Sequence, residues 1–426
     1  MSSTALDTTD TLVAYDKRTK SFAQRTLLGR FPEEAPMPYY RQVGEIPHKR
    51  HTAFRKPDGG LYAEELMGVE GFSADSALLY HVGMPTAIVN AEAVQEERGA
   101  LTPNHPLKPR HFKTPELKYG ASADAVTDRR RLFGNNDVTI CFAVATAPSP
   151  LYRNAAGDEL FYVQGGSATV ETIYGALEVG DGDYVVLPTS CTYRVVPHDE
   201  VRLFILEARG HVGPPKRYLS AKGQFLEHSP YCERDVRGPV APLLAEGSDV
   251  EVLVRHRAGL TRYTYATHPF DVVGWDGCLY PWAFNIDDFE PITGRVHQPP
   301  PVHQTFEGPN FVVCSFCPRK VDYHEDSIPV PYNHANVDSD ELMFYVRGNY
   351  EARRGSGIGI GSLSLHPSGF THGPQPGAAE ASIGAEFFDE TAVMVDTFTP
   401  LDLGEAADAA EDPGYAWTWS KRGPQG

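Results

Sequence analysis

Three side chains in two short segments carry the clearest chemistry of this chain. In His334-Ala-Asn336-Val-Asp-Ser-Asp-Glu341 a histidine leads to a glutamate, and Gly348 follows. The second segment, 361–372, opens on Gly361, passes His366, Pro367 and Gly369, and closes on His372. Two imidazoles and one carboxylate form a ligand face that leaves metal positions open, the arrangement in which non-heme Fe(II) meets substrate and O2 together. Zinc or manganese would accept the same donors, because affinity alone does not select iron. A lone histidine is usually structural, but three donors spaced with these glycines and this proline need a reason beyond folding. His366 reads either as a neighbour that orients bound oxygen or substrate or as a turn residue facing solvent. Upstream, Gly294-Arg-Val-His297-Gln-Pro-Pro-Pro-Val-His303 is a proline-stiffened loop with two histidines. A loop of this kind can hold a general base over an open metal position, and either His297 or His303 could deprotonate a phenol.

The two segments resemble the paired motifs of the cupin family, in which a His, a Glu and a Gly are followed by Gly, Pro-x-Gly and a final His. Asn336 stands where a four-ligand cupin has a second histidine, and a neutral amide is a poor ligand, which favours the three-ligand form. The same blocks occur earlier in weakened form. Asp158-Glu159-Leu-Phe-Tyr-Val-Gln-Gly165-Gly166 echoes the run from Asp340 and Glu341 to Gly348, and Gly182, Pro188 and Tyr193 echo Gly361, Pro367 and His372. There Tyr152 or Asn154 takes the place of His334, Tyr193 replaces His372, and only the carboxylate, Glu159, remains. An internal repeat of this kind implies two cupin units, one working and one retired.

The elements around these residues read as strands. Val138-Thr-Ile-Cys-Phe-Ala-Val-Ala, Glu159-Leu-Phe-Tyr-Val, Ala168-Thr-Val-Glu-Thr-Ile-Tyr and Val201-Arg-Leu-Phe-Ile-Leu are short, rich in β-branched and aromatic residues, and separated by turns such as Gly180-Asp-Gly-Asp. The expected fold is mainly β, a two-cupin jelly-roll sandwich with an extended irregular N-terminal arm. The expected division is an arm at 1–110, a metal-free cupin at 111–235 and an iron-binding cupin at 236–426. Within the arm, Leu61-Tyr-Ala-Glu-Glu-Leu-Met reads as a short helix and Ala77-Leu-Leu-Tyr-His-Val-Gly-Met as a strand. The acidic run 405–412 and the tail after it read as a surface segment.

A length of 426 residues leaves room for two or three cores, and Gly and Pro, 39 and 35 in number, favour short strands joined by turns. A net charge of −18 argues against nucleic acid or an anionic membrane as the main partner. No apolar run approaches the about 20 residues of a membrane helix, and the N-terminus lacks the basic-then-apolar order of a signal peptide. The six cysteines are scattered; Cys314-Ser-Phe-Cys317 lies in an alternating apolar run and reads as half-buried thiols in a reducing cytoplasm.

The chain also resembles the homogentisate 1,2-dioxygenases over most of its length. The segments that carry this are Leu61-Tyr-Ala-Glu-Glu-Leu-Met-Gly with Leu78-Leu-Tyr-His-Val, Phe270-Asp-Val-Val-Gly-Trp275-Asp-Gly, Pro331-Tyr332-Asn-His334, Gly348-Asn-Tyr350-Glu-Ala-Arg, and the stretch from Ser364-Leu-His366 to His372-Gly-Pro. The resemblance implies Fe(II) on His334, Glu341 and His372, with His297 as general base and His366 beside substrate and oxygen. It implies Tyr350 on the substrate carboxylate and Tyr332 and His303 lining the pocket. It further implies a small aromatic substrate consumed with O2 in aromatic catabolism, and a homotrimer or homohexamer. The chain departs from the family in having six residues rather than five between His334 and Glu341, and in the loop after His297. The iron and ring-cleavage expectation withstands those departures better than the substrate, so gentisate or a hydroquinone stands beside homogentisate. A non-catalytic metal-binding bicupin and an isomerase-type cupin, which would consume no oxygen, are the readings from other classes.

Overall fold

The computed structural model describes residues 40–96 and 98–420, and strands dominate it. The two α-helices among the described residues, Ala378–Ser382 and Glu405–Ala410, are short. The mainly β expectation therefore holds, and the two-cupin plan is visible in the sheets. The stretch 201–208, alternately aliphatic and aromatic, pairs on one side with Val138–Ala145 and on the other with the start of Glu159–Thr172. These strands are the centre of a thirteen-stranded sheet. A second, six-stranded sheet runs in the order Gln304–Gly308, Phe311–Phe316, Glu390–Thr397, Asp340–Gly348, Ser362–His366, Arg110–Lys113.

The repeat read from the motifs is a repeat of backbone. The strand that starts at Glu159 skips Gln164 in pairing with its neighbour, and the strand that carries Glu341 skips Val346. Each then reaches a glycine in the left-handed region, Gly166 at φ +83° and Gly348 at φ +90°. A Cβ there would lie 1.8 Å from the Glu200 oxygen or 2.1 Å from the Asp389 oxygen, so no side chain fits at either bend.

The seam between the halves lies elsewhere than expected. Val250–His256, Gly259–Tyr265 and Trp282–Asn285, assigned above to the second unit, hydrogen-bond into the first sheet, and Arg110–Lys113 edges the second. The backbone changes sheet near residue 286, not 235, because the 250–265 hairpin covers the otherwise open edge at Tyr152–Asn154. The sheets share a core in which Phe204 stacks on Phe344 at 4.9 Å and Phe142 meets Phe344 at 6.0 Å.

Residues 1–39 of the expected arm lie outside the described residues. The rest of the arm is more regular than its composition implied. Ala63–Gly68, expected as a helix, is a strand, because pairing with Ser76–His81 overrides the helix preference of Glu-Glu-Leu-Met. The two join Arg41–Gly44 and Val272–Gly277 in a four-stranded sheet. In that sheet buried His81 lies between two carboxylates, Nδ1 2.6 Å from Asp271 and Nε2 3.0 Å from Glu65. Burial works against its charge, but the two acids outweigh it and push the imidazole up to about 9. The acidic run 405–412 is also no free surface segment. Ala407 and Ala410 are buried, Glu411 pairs with Arg110 at 2.8 Å, and Asp412 with Lys113 at 2.9 Å.

Candidate metal centre

Two strands and one bridge bring the donors together. Asp340–Gly348 carries Glu341, and Ser362–His366 pairs with it so that His366 stands opposite Glu341. His334 and His372 exchange backbone hydrogen bonds of 2.7 and 2.8 Å, which sets their rings side by side with centroids 4.3 Å apart. The ligand atoms of His334, Glu341 and His372 all fall within 4.8 Å of one another. Glu341 and His372 are buried, and His334 is partly open.

These residues fit a metal ion on their own chemistry. His372 Nδ1 lies 3.3 Å from the Phe370 carbonyl, which can only accept; the ring proton is therefore on Nδ1 and the Nε2 lone pair faces the cluster. That Nε2 is buried without a hydrogen-bond partner. Burial works to raise the Glu341 carboxyl, but His334 and His366 beside it hold it well below the usual range. On the neighbouring strand Asp396, in register with Glu341, is pushed up to about 8 by burial and by the charge of Glu341. No lysine or arginine pairs with either acid among the described residues. A buried carboxylate without a cation, with two imidazole nitrogens within 4.8 Å of it, forms a set that a divalent ion completes.

His366 is fully buried and stacks on His372 at 4.1 Å. Burial pushes it down to about 3, so the ring is neutral. Its Nδ1–H donates to Glu341 at 2.9 Å, and its Nε2 accepts the Tyr415 hydroxyl at 2.9 Å. Both nitrogens are thus engaged in holding the carboxylate. Tyr415 was not legible as a site residue, because it lies in the tail that read as surface.

Two of the donors, His334 and Glu341, line a cavity of about 180 Å³ together with Tyr332, Tyr350, His297 and Arg353, among others. His297 is held by Asp322, Nδ1 to carboxylate 3.3 Å, and meets Tyr332 edge-on at 5.3 Å. Tyr332 in turn meets His334 at 5.7 Å, so it stands between the loop histidine and the ligand histidine. Tyr350 packs on Tyr345 and directs its hydroxyl to the Thr391 carbonyl at 3.3 Å. His303 does not line this cavity. It is buried beside an adjoining space of about 70 Å³ and stacks on Phe316 at 4.4 Å. Burial and the nearby Arg319 push it down to about 3, and its Nδ1 has no partner.

The first half holds the same backbone around different chemistry. Tyr193 pairs with Tyr152 as His372 pairs with His334, so Tyr152, not Asn154, is the structural counterpart of His334. Glu207 stands in register with Glu159 as Asp396 does with Glu341. Between them lies the buried Arg129 guanidinium, 2.7 Å from Glu159, 2.9 Å from Glu207 and 3.2 Å from the Tyr193 hydroxyl. Arg98 adds a second bond to Glu207 at 2.9 Å. Burial would raise Glu207, yet the two guanidinium groups hold it far below the usual range.

Known proteins resemble the chain over most of its length. A Saccharolobus solfataricus protein, a candidate dioxygenase by name, is 39% identical over 392 residues, which is 90% of this chain and 99% of that one. A homogentisate 1,2-dioxygenase of Emericella nidulans is 26% identical over 372 residues, 79% of this chain and 80% of its own length. Among solved structures, a cupin barrel protein of Leptotrichia buccalis covers 71% of the chain and 99% of its own, with a TM-score of 0.32 and 11% identity. The family model described as homogentisate 1,2-dioxygenase N-terminal matches residues 41–286, and the C-terminal model matches 284–421. Their junction falls where the backbone changes sheet, and the second model spans all three donors: the chain belongs to the homogentisate 1,2-dioxygenase family.

Proposed function

We propose that this protein is an Fe(II)-dependent dioxygenase that opens the ring of homogentisate with O2 to give maleylacetoacetate. The observation that carries the reading is the His334–Glu341–His372 cluster, two of whose donors, His334 and Glu341, line a cavity whose lining also includes His297. Iron held by those three donors would bring ring and O2 together and pass electrons from one to the other. His297 acts as the base. Its Nδ1 lies 3.3 Å from the Asp322 carboxylate, and Nε2 is the nitrogen that would take the proton of a ring hydroxyl. His303 carries a neutral ring in the space behind and shapes the wall. Tyr332 and Tyr350 flank the ring and its side arm, and His366 keeps Glu341 in place. The reading also carries an assembly of three or six copies, which sedimentation measures. A second substrate, gentisate or a hydroquinone, is favoured by one observation: the 39% relative bears only a general dioxygenase name, whereas the Emericella homogentisate enzyme matches at 26%.

The test is oxygen uptake by protein loaded with Fe(II) without air and offered homogentisate, gentisate and hydroquinone in parallel. One O2 per homogentisate, with His297→Asn slower by about 100-fold or more, supports the reading. Uptake with another substrate alone moves the substrate and keeps the chemistry. No uptake with any of the three overturns it.

A further inference from the structure

The smaller space behind the cavity makes a demand of its own. His297, Phe316 and Arg319 line both spaces, whereas Val302, His303 and Asp322 line only the smaller one. At about 70 Å³ it has room for about two groups the size of water, which takes about 30 Å³ in the liquid. Of the charged groups that line it, Arg319 pairs with Glu390 at 2.8 Å, Asp322 pairs with His297 at 3.3 Å, and Lys320 is exposed to solvent. His303 is the unmatched group. It is 6% exposed, and its Nδ1 has no partner among the described residues. The Ser315 backbone accepts from the ring N–H, so a neutral imidazole keeps a lone pair that no described residue meets. A buried acceptor without a donor is costly, and buried polar groups as a rule find one. The residue belongs to the loop after His297, where the sequence departs from the homogentisate family.

We propose that the smaller space is a second substrate subsite, which takes a short neutral ring substituent carrying an O–H or N–H donor, with His303 as its acceptor. This rests on the reading of the cavity as the substrate site. A ring whose hydroxyl meets His297 turns a neighbouring ring carbon toward this space, because His297 lines both. The substituent therefore sits next to a ring hydroxyl. A hydroxymethyl group has the size and the donor, and a methyl group lacks the donor. A carboxylate offers only acceptors, so an acid arm does not belong here. His303 is thus a specificity-determining residue, and the substrate class it selects is a 1,4-dihydroxy aromatic with one more polar substituent.

The test uses binding rather than turnover. Zn(II)-loaded protein is titrated calorimetrically, without air, with 2,5-dihydroxyphenylacetate and with two matched pairs of its derivatives. One pair carries hydroxymethyl or methyl on ring carbon 3, and the other carries them on ring carbon 4, each next to a hydroxyl. In one pair the wild type is expected to favour hydroxymethyl over methyl by at least about tenfold, the range of a hydrogen bond to an otherwise unmatched buried acceptor. His303→Leu is expected to lose that preference while its affinity for the methyl compound stays within about twofold. His303→Gln, whose side-chain carbonyl can accept, is expected to keep most of it. Equal loss of both compounds in His303→Leu overturns the proposal, as does a wild type that does not distinguish them. An unsubstituted compound that binds more tightly than every derivative means that water fills the space, and also overturns it. If His303→Leu does not fold, the preference of the wild type and its retention in His303→Gln decide. Oxygen uptake by the Fe(II) protein is read separately. A hydroxymethyl preference without uptake of O2 on any of these compounds would sink the ring-cleavage reading alone, and uptake without the preference would sink this one alone.

Discussion

The two cupin halves solve one electrostatic problem in different ways. Each strand framework puts two carboxylates opposite each other inside a sheet, Glu159 with Glu207 and Glu341 with Asp396. In the first half Arg129 supplies a permanent cation from within the chain, and tyrosines fill the positions of the ligand histidines. In the second half no such cation is built in among the described residues, and imidazoles stand in position for an exchangeable one. The arm sheet adds a third answer, His81 between Glu65 and Asp271, a cation that exists only while protonated. The lesson is that the copy without ligand histidines is not an empty one: its two acids are matched by a guanidinium.

The largest expected effect follows from removing the fixed cation. Arg129→Ala strands the buried Glu159 and leaves Glu207 with Arg98 alone, and urea unfolding should show a loss of about 3–5 kcal/mol; a loss under about 1 kcal/mol would mean the carboxylates are balanced some other way. The titratable cation comes next. His81 has a folded value raised to about 9 from 6.5, so its contribution is complete below about pH 6.5 and is lost as pH rises through 9. That contribution is about 3 kcal/mol, since each tenfold change in proton affinity between the folded and unfolded chain is worth about 1.4 kcal/mol. Stability measured between pH 6 and pH 10 should fall in the wild type and stay flatter in His81→Gln.

The exchangeable cation should show its own signature. Divalent metal at about 100 times its dissociation constant should stabilise the protein by about 2.7 kcal/mol, and Glu341→Gln should abolish that gain. A gain that survived Glu341→Gln would move the metal elsewhere. The smallest effect is expected at Tyr415. Replacing it by Phe removes the donor that fixes the His366 ring, and metal affinity should drop about tenfold with little change in apo stability. Unchanged affinity would show that stacking on His372 alone holds His366.

The sequence revealed the three donors because each is tied to a local backbone event, the bend at Gly348 or the turn before Ser362–His366, that forces its own residue types. The retired copy was legible for the same reason. What escaped were relations set by pairing between distant strands. Asp396 ends an apolar run much as Glu207 does, but its place beside Glu341 depends on the neighbour that Glu390–Thr397 chooses. Arg129 comes from a segment outside the repeated blocks. Tyr415 reaches His366 across 49 residues. The strand Ala63–Gly68 read as helix because its pairing partner decided its state.

The exchange of strands between the halves bears on how the chain comes to be made. Arg110–Lys113 closes the edge of a sheet whose next strand, Ser362–His366, emerges about 250 residues later; the His111–Ser362 contact spans 251 positions. At about 5–20 residues per second of synthesis, that early strand waits tens of seconds for its partner. The first half meanwhile cannot complete its own sheet until Trp282–Asn285 has left the ribosome. A gene cut at residue 235 would therefore yield two fragments with open strand edges rather than two domains. The candidate metal cluster can assemble only after nearly the whole chain exists, so a nascent protein would hold no ion there before the cavity around it was enclosed.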